Sequence, residues 1–276
     1  GDDITATGGI DKPFKTCKAA LKKFPPTRGM VLTLRGGTYP ATDAIRLSNI
    51  SATVDSPFII TNYKDEKVVF SGSKEISGNW SETTINGVKA FVTDMPIEND
   101  SDYFRSLFKG DKRLSRSTYP KEGMFKVADP SEGEAIAGSH APDFFTHSVA
   151  FYAKTNEILN FANASDVEVK VMHFWCDEHL PVHSVDAATG RVETTKPSAM
   201  RIRVDDNFIF ENVKETLTLP GEWYLDRAED KLYYIPEEGD TVENTVLQAG
   251  VNKQLFTFNG VDNIDFQGID FINTDW

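Results

Sequence analysis

No apolar run in this 276-residue chain approaches the roughly eighteen residues a membrane-spanning helix needs, so insertion by that route is excluded. Positive charge is scarce. There are 29 Lys and Arg against 42 Asp and Glu, for a net charge of −13. Phosphate backbones and anionic membrane surfaces would be repelled, which sets nucleic acid aside as a partner. A neutral sugar polymer is compatible with that charge. Cysteine is nearly absent: Cys17 and Cys176 are the whole supply. They read either as one long-range disulfide or as two independent thiols. There is no glycine-rich phosphate loop and no Gly-x-Ser-x-Gly elbow. The expectation is therefore no cofactor. The densest group of ligand-type side chains is His173, Asp177, Glu178, His179 and His183. Its spacing fits no zinc motif, and no metal site is expected there. His173 reads as a hydrogen-bonded interior histidine.

Aromatic residues are plentiful, with 19 Phe, 8 Tyr and 4 Trp. The stretch Lys253–Trp276 (KQLFTFNGVDNIDFQGIDFINTDW) holds three short strand-like runs with Asn259-Gly260 and Gln267-Gly268 between them. Ile264 and Phe266 share one face of a pleated strand, and Ile269 and Phe271 share another on the opposite parity. The chain must turn at Gly268 for both pairs to reach one interior. Short runs, glycine corners and a parity flip describe one coil of a parallel β-helix; a flat hairpin meander is the alternative. Residues 27–77 carry the same pattern in Met30–Arg35, Ala44–Leu47, Pro57–Thr61 and Lys67–Ser71. Upstream, Asp11-Lys12-Pro13 is a helix-start signal. Phe14, Cys17, Leu21 and Phe24 recur at helical spacing before Pro25-Pro26, which predicts a capping helix over Pro13–Phe24.

Between about 79 and 250 the strands lengthen and pair as hairpins. Val182–Val185 with Arg191–Thr195 is one, and Glu222–Asp226 with Lys231–Ile235 is another. Val167–Trp175 alternates, with Val167, Val169, Val171, His173 and Trp175 on one face. Pro120–His147, rich in Pro, Gly, Asp and Ser, reads as a long ordered loop. The expected organisation is all-β. Residues 1–78 form a capping helix and the first β-helix coils. Residues 79–250 form an inserted antiparallel β domain, and 251–276 a resumed coil that then breaks off. Four Asn-x-Ser sequons, at Asn49, Asn79, Asn99 and Asn163, favour a secreted, extracellular glycoprotein.

The block Pro220-Gly221-Glu222-Trp223-Tyr224-Leu225-Asp226-Arg227, followed by Leu232-Tyr233-Tyr234-Ile235-Pro236, resembles the right-handed parallel β-helix proteins related to family-141 glycoside hydrolases. Lys12-Pro13-Phe14 with Leu34-Arg35-Gly36-Gly37-Thr38-Tyr39 is similar to their capped N-terminus. Val167-Glu168-Val169 with His173-Phe174-Trp175 and Ser184-Val185-Asp186 is similar to their inserted domain. Phe266-Gln267-Gly268-Ile269-Asp270-Phe271 through Trp276 is similar to their first coil after it. After Trp175 this chain reads Asp177-Glu178-His179 where those proteins tend to carry Ser-Arg.

The resemblance implies a glycoside hydrolase acting on polysaccharide, with its catalytic carboxylates in coils beyond Trp276 and none within the chain. A non-catalytic glycan-binding or structural β-helix and a polysaccharide lyase are the alternatives. Hydrolysis needs two carboxylates in different protonation states. Asp265 and Asp270 read instead as solvated outward positions. Asp275 beside Trp276, and Trp175, are the candidate sugar contacts, since a sugar site sets an aromatic platform beside polar groups. An unfinished last coil would also leave open strand edges through which the chain self-associates.

Overall fold

The computed structural model describes residues 1–40, 43–95, 103–135, 146–154 and 157–275. Helix α1 spans Cys17–Lys23. Strands β1 (Val31–Leu34), β2 (Gly37–Pro40), β3 (Ile45–Ser51), β4 (Phe58–Asn62), β5 (Val68–Ser71) and β6 (Ser73–Ser77) follow. Next are β7 (Ser81–Ile85), β8 (Val88–Asp94), β9 (Leu107–Lys109) and β10 (Lys112–Arg113). The middle continues with β11 (Ser115–Arg116), β12 (Thr118–Tyr119), β13 (Phe125–Ala135), β14 (Thr146–Ala153) and β15 (Glu168–Met172). Then come β16 (Asp177–Asp186), β17 (Arg191–Thr194), β18 (Asn207–Glu211), β19 (Glu222–Asp226) and β20 (Lys231–Tyr234). The last four are β21 (Val246–Gly250), β22 (Phe256–Asp262), β23 (Ile264–Gln267) and β24 (Ile269–Ile272). The chain divides into two compact units, one of residues 1–76, 97–113 and 246–276, the other of residues 77–96 and 114–245.

The first unit contains three parallel sheets, ordered β1-β4-β23, β2-β5-β24 and β3-β22. The pairing brings the same kind of side chain to the same place on successive passes. Leu32, Ile60 and Phe266 are register partners, as are Tyr39, Phe70 and Phe271. The Phe70 ring lies 5.4 Å from Tyr39 and 6.1 Å from Phe271, an aromatic column running across the strands. A core of Leu34, Ile45, Leu47, Phe58, Ile60, Val68 and Phe70 fills the interior, with half-buried Leu32, Ile264, Phe266 and Ile269 against it. The terminal strands thus stack directly on strands from residues 27–77, as their pattern implied. Phe271 differs from expectation. It is 46% exposed while its partner Phe70 is 1% exposed, because β24 has a neighbour on one side only. Gly268 sits at φ +62°, and a Cβ there would collide with the Asn62 side chain, so both conformation and space call for glycine at this corner.

The capping helix begins later than its signal suggested. Thr16, not Asp11, is the N-cap, its Oγ1 accepting from the Ala19 N–H at 3.1 Å. Asp3 holds that turn by accepting the Lys15 and Thr16 N–H groups at 2.8 and 2.9 Å. Cys17, Ala20 and Leu21 face inward, whereas Phe24 is exposed and packs edge-on to Phe14 at 6.1 Å. β6, β9, β10 and β21 make a small separate sheet in the same unit.

In the second unit, β18, β13, β14, β17, β16 and β15 close into a six-stranded antiparallel barrel, which leaves no free edge among them. Val169 lies between Phe210 and Leu180 in register, and Val171 beside Phe208; these alternating residues point inward with Phe125, Val127, Phe151, Val182 and Val192. The β16–β17 and β19–β20 hairpins fall where the sequence placed them. The loop expected over Pro120–His147 is overturned at Phe125–Ala135, which is β13, and at its end, where β14 begins, the two strands being paired through several register shifts; residues 136–145 lie outside the described residues. Such bulges admit the glycine and proline that disguised the strand. A second sheet, β11-β19-β20-β8-β7, completes this unit.

Candidate functional site on the barrel unit

Strand β19, EWYLD, is buried along its whole length. Its alternation sends Glu222, Tyr224 and Asp226 to one face, and each polar end meets a fixed partner. Glu222 takes Lys121 Nζ at 2.6 Å and the Leu219 N–H at 3.0 Å. Tyr224 donates its hydroxyl to Asp166 at 2.6 Å, and Asp226 holds Lys214 at 2.9 Å. Arg227 closes the set, its Nε 3.1 Å from Asp166 Oδ1. Burial, then the Asp166 carboxylate, push the Tyr224 phenol well above its ordinary range, so it remains a donor. The PGEWYLDR block is therefore an interior polar network that fixes the fold.

A second network lies on the outward face of the barrel. Glu168 and Glu211 are direct register partners on β15 and β18, so alternation sets their carboxylates side by side. Arg116 enters from β11, with Nη1 2.7 Å from Glu168 and 3.5 Å from Glu211 and its guanidinium 5.6 Å from the Trp223 ring centre. His179 Nδ1 is 3.3 Å from Glu211. Burial would raise the Glu211 carboxyl, but His179, Arg116 and Lys170 together hold it below the usual carboxylate range. Glu168, His179 and Glu211 bring their ligand atoms within 4.8 Å of one another, the spacing of a metal site. Arg116 already supplies the positive charge there. With the Glu168 side chain 5% exposed, the pair also offers no face to a glycosidic oxygen. This network is structural as well.

The cluster His173, Asp177, Glu178, His179 and His183 is split by the fold. His179 joins Glu211, Asp177 pairs with Lys170 at 2.7 Å, and His183 is exposed on β16. His173 is buried as expected, with Nε2 3.3 Å from Glu178 and Nδ1 3.7 Å from Asp206. Burial raises the Glu178 carboxyl, yet His173 and the Ala199 and Met200 N–H groups outweigh it and bring it below its ordinary range.

Strand β15 ends at Met172, so Trp175 leaves the face assigned to it and sits at the hairpin tip, 60% exposed. Phe174 beside it is 88% exposed. Alternation would have turned only one of these two adjacent rings outward, so the exposure of both follows from the end of the strand. Asp275 is buried, its Oδ1 accepting the Arg105 N–H at 3.0 Å; Trp276 lies outside the described residues. Asp265 and Asp270 are exposed, in keeping with outward positions. The disulfide is not formed. Cys17 is a buried free thiol, which burial pushes up to about 12, and Cys176 is an exposed free thiol. Among the sequons, Asn49 and Asn79 are exposed. Asn163 is tied down, donating to Asp166 at 2.5 Å, and Asn99 lies outside the described residues.

No family model matches the chain. Over 69 residues, 25% of this chain and 16% of that protein, the sequence is 33% identical to Pectate lyase PEL9 of Emericella nidulans. The fold is shared with a solved structure described as "Glycoside hydrolase", with a TM-score of 0.71 and 21% identity, over 100% of this chain and 50% of that one. Another, described as the complex structure of XylC with xylose, aligns with a TM-score of 0.46 and 15% identity over 100% of this chain and 35% of its own. The chain spans half or less of the length of each.

Proposed function

We propose that this chain is the N-terminal portion of a secreted carbohydrate-active protein, a glycoside hydrolase acting on polysaccharide, built on a right-handed parallel β-helix. The observation that carries the reading is the fold shared, from end to end, with a solved glycoside hydrolase twice as long. The three parallel sheets are its first coils: β1-β2-β3, then β4-β5-β22, then β23-β24. The block 79–250 leaves the second coil after β5, and 251–276 resumes it. The PGEWYLDR resemblance and its three companion blocks agree in order, and exposed Asn49 and Asn79 suit an extracellular chain.

The catalytic carboxylates belong to coils beyond Trp276. Five acids of this chain support that placement: Glu168 and Glu211 are committed to Arg116, Asp275 to a backbone N–H, and Asp265 and Asp270 stand in solvent. The uncovered last rung, where Phe258 and Phe271 are exposed, is the surface that a further coil would cover and through which the fragment alone would associate. A polysaccharide lyase is the second reading, favoured by the PEL9 segment. The net charge of −13 counts against an acidic sugar substrate.

The test is the product of the complete gene on a panel of neutral and acidic polysaccharides, following reducing ends and unsaturated products separately. Reducing ends without unsaturation are expected. Unsaturated products would establish the lyase instead, and binding without any turnover would establish a non-catalytic glycan binder.

A further inference from the structure

Most described aromatic rings of the barrel unit are buried or half-buried. Among its described Phe and Trp residues, Phe174 and Trp175 alone are exposed, adjacent at the tip between β15 and β16. Leaving two large apolar rings in water works against folding, and such a patch marks a contact site. The tip is also anchored. The His173 N–H donates to the Cys176 carbonyl at 2.8 Å, closing the turn from within. The His173 side chain, 4% exposed, is held between Glu178 and Asp206. Those carboxylates accept the backbone N–H groups of Ala199 at 2.7 Å and Arg203 at 2.8 Å, tying the tip to the 199–206 segment. The two rings meet at 84° with centroids 5.8 Å apart, so they present two faces rather than a stack.

We propose that this tip is a binding platform for a neutral pyranose-based polysaccharide, with Trp175 and Phe174 as stacking faces and the Arg201–Asp206 rim as the hydroxyl-recognising edge. The proposal rests on the carbohydrate-active reading above and adds a binding surface on this chain. The hollow beside the rings, lined by His173, Met200, Arg201, Arg203 and Asp206, is about 10 Å³. That is too small to enclose a sugar, so the ligand lies across the rings as a chain does. Arg201 and Arg203 are matched in number by Asp205 and Asp206 within the 201–206 rim, giving an edge rich in donors and acceptors without net charge. A polyuronate would gain nothing from such an edge and would meet a protein of net charge −13.

The test uses the 276-residue chain in affinity electrophoresis and tryptophan fluorescence titration against soluble xylan, β-glucan, galactomannan and polygalacturonate. At least one neutral polymer should retard the chain, and Trp175→Ala should weaken that binding about tenfold or more, as loss of a central aromatic contact does. Phe174→Ala should weaken it less. Both rings are exposed, so both variants should melt with the parent. The proposal is overturned if no neutral polymer binds, if Trp175→Ala binds as well as the parent, or if polygalacturonate is preferred. It is equally overturned if the substitutions abolish self-association in sedimentation and leave glycan binding intact. Turnover by the complete gene product alongside unchanged binding by Trp175→Ala would remove the platform and leave the enzymatic reading standing.

Discussion

Removing one oxygen atom, by Tyr224→Phe, isolates the interior network from everything else the residue does. The ring stays buried among Ile85, Ala90, Leu217 and Ile235, so no cavity opens. What disappears is the 2.6 Å hydrogen bond to Asp166. A hydrogen bond to a charged acceptor contributes about 1.5–3 kcal/mol. Asp166, 1% exposed, keeps its bonds from Arg227 and Asn163, so its desolvation is only partly uncompensated. The expected loss is therefore about 2 kcal/mol, a large fraction of an ordinary domain's stability. Asp166→Ala should cost more, about 3–5 kcal/mol, because it strands several donors at once. Urea denaturation followed by the fluorescence of the neighbouring buried Trp223 reads both, with unchanged slopes required for a clean comparison. The double variant should cost less than the sum, since the two substitutions break the same bond. A Tyr224→Phe loss under about 0.5 kcal/mol, within the range of surface substitutions, would refute the network's role.

Leu21→Ala on the inward side of the capping helix should lower stability by about 2–5 kcal/mol in chemical denaturation; Phe24→Ala, on an exposed ring, should lower it far less. Gly268→Ala should cost about 1–2 kcal/mol from the left-handed backbone alone, and more from the Asn62 clash, read as a shift in thermal midpoint. Glu211 and Glu178 both lie below their ordinary value of 4.5 in the folded chain. Their stabilisation is present above that value and is lost as pH falls through the lower folded values. Barrel stability should therefore decline in acid, and Glu211→Gln should flatten part of that decline. Hydrogen exchange should find Ile269–Ile272 less protected than Val68–Ser71, the strand it leans on.

What was legible in the sequence was short-range. Parity along Ile264–Phe271 and the corner at Gly268 gave the terminal strands and their stacking on residues 27–77, because both depend on spacing within a few residues. The β19–β20 hairpin was legible for the same reason. The barrel was not, since closure depends on β15 meeting β18 across some forty residues and on β13, whose bulges hide its alternation. The charged network was equally hidden. Nothing local joins Arg116 to Glu168 and Glu211, and the proximity of His173 and His179 in sequence pointed to one cluster where the fold makes two. Trp175 was placed on the strand face because alternation was carried three residues past the strand's end at Met172.

The placement of catalysis in later coils is tested most directly by assaying the purified 276-residue chain itself for release of reducing ends from plant and algal polysaccharides. The account predicts no turnover on any of them, including those that the chain binds. Turnover by the chain that a single Asp or Glu substitution abolishes, without loss of folding, would contradict it and move the active site into these residues.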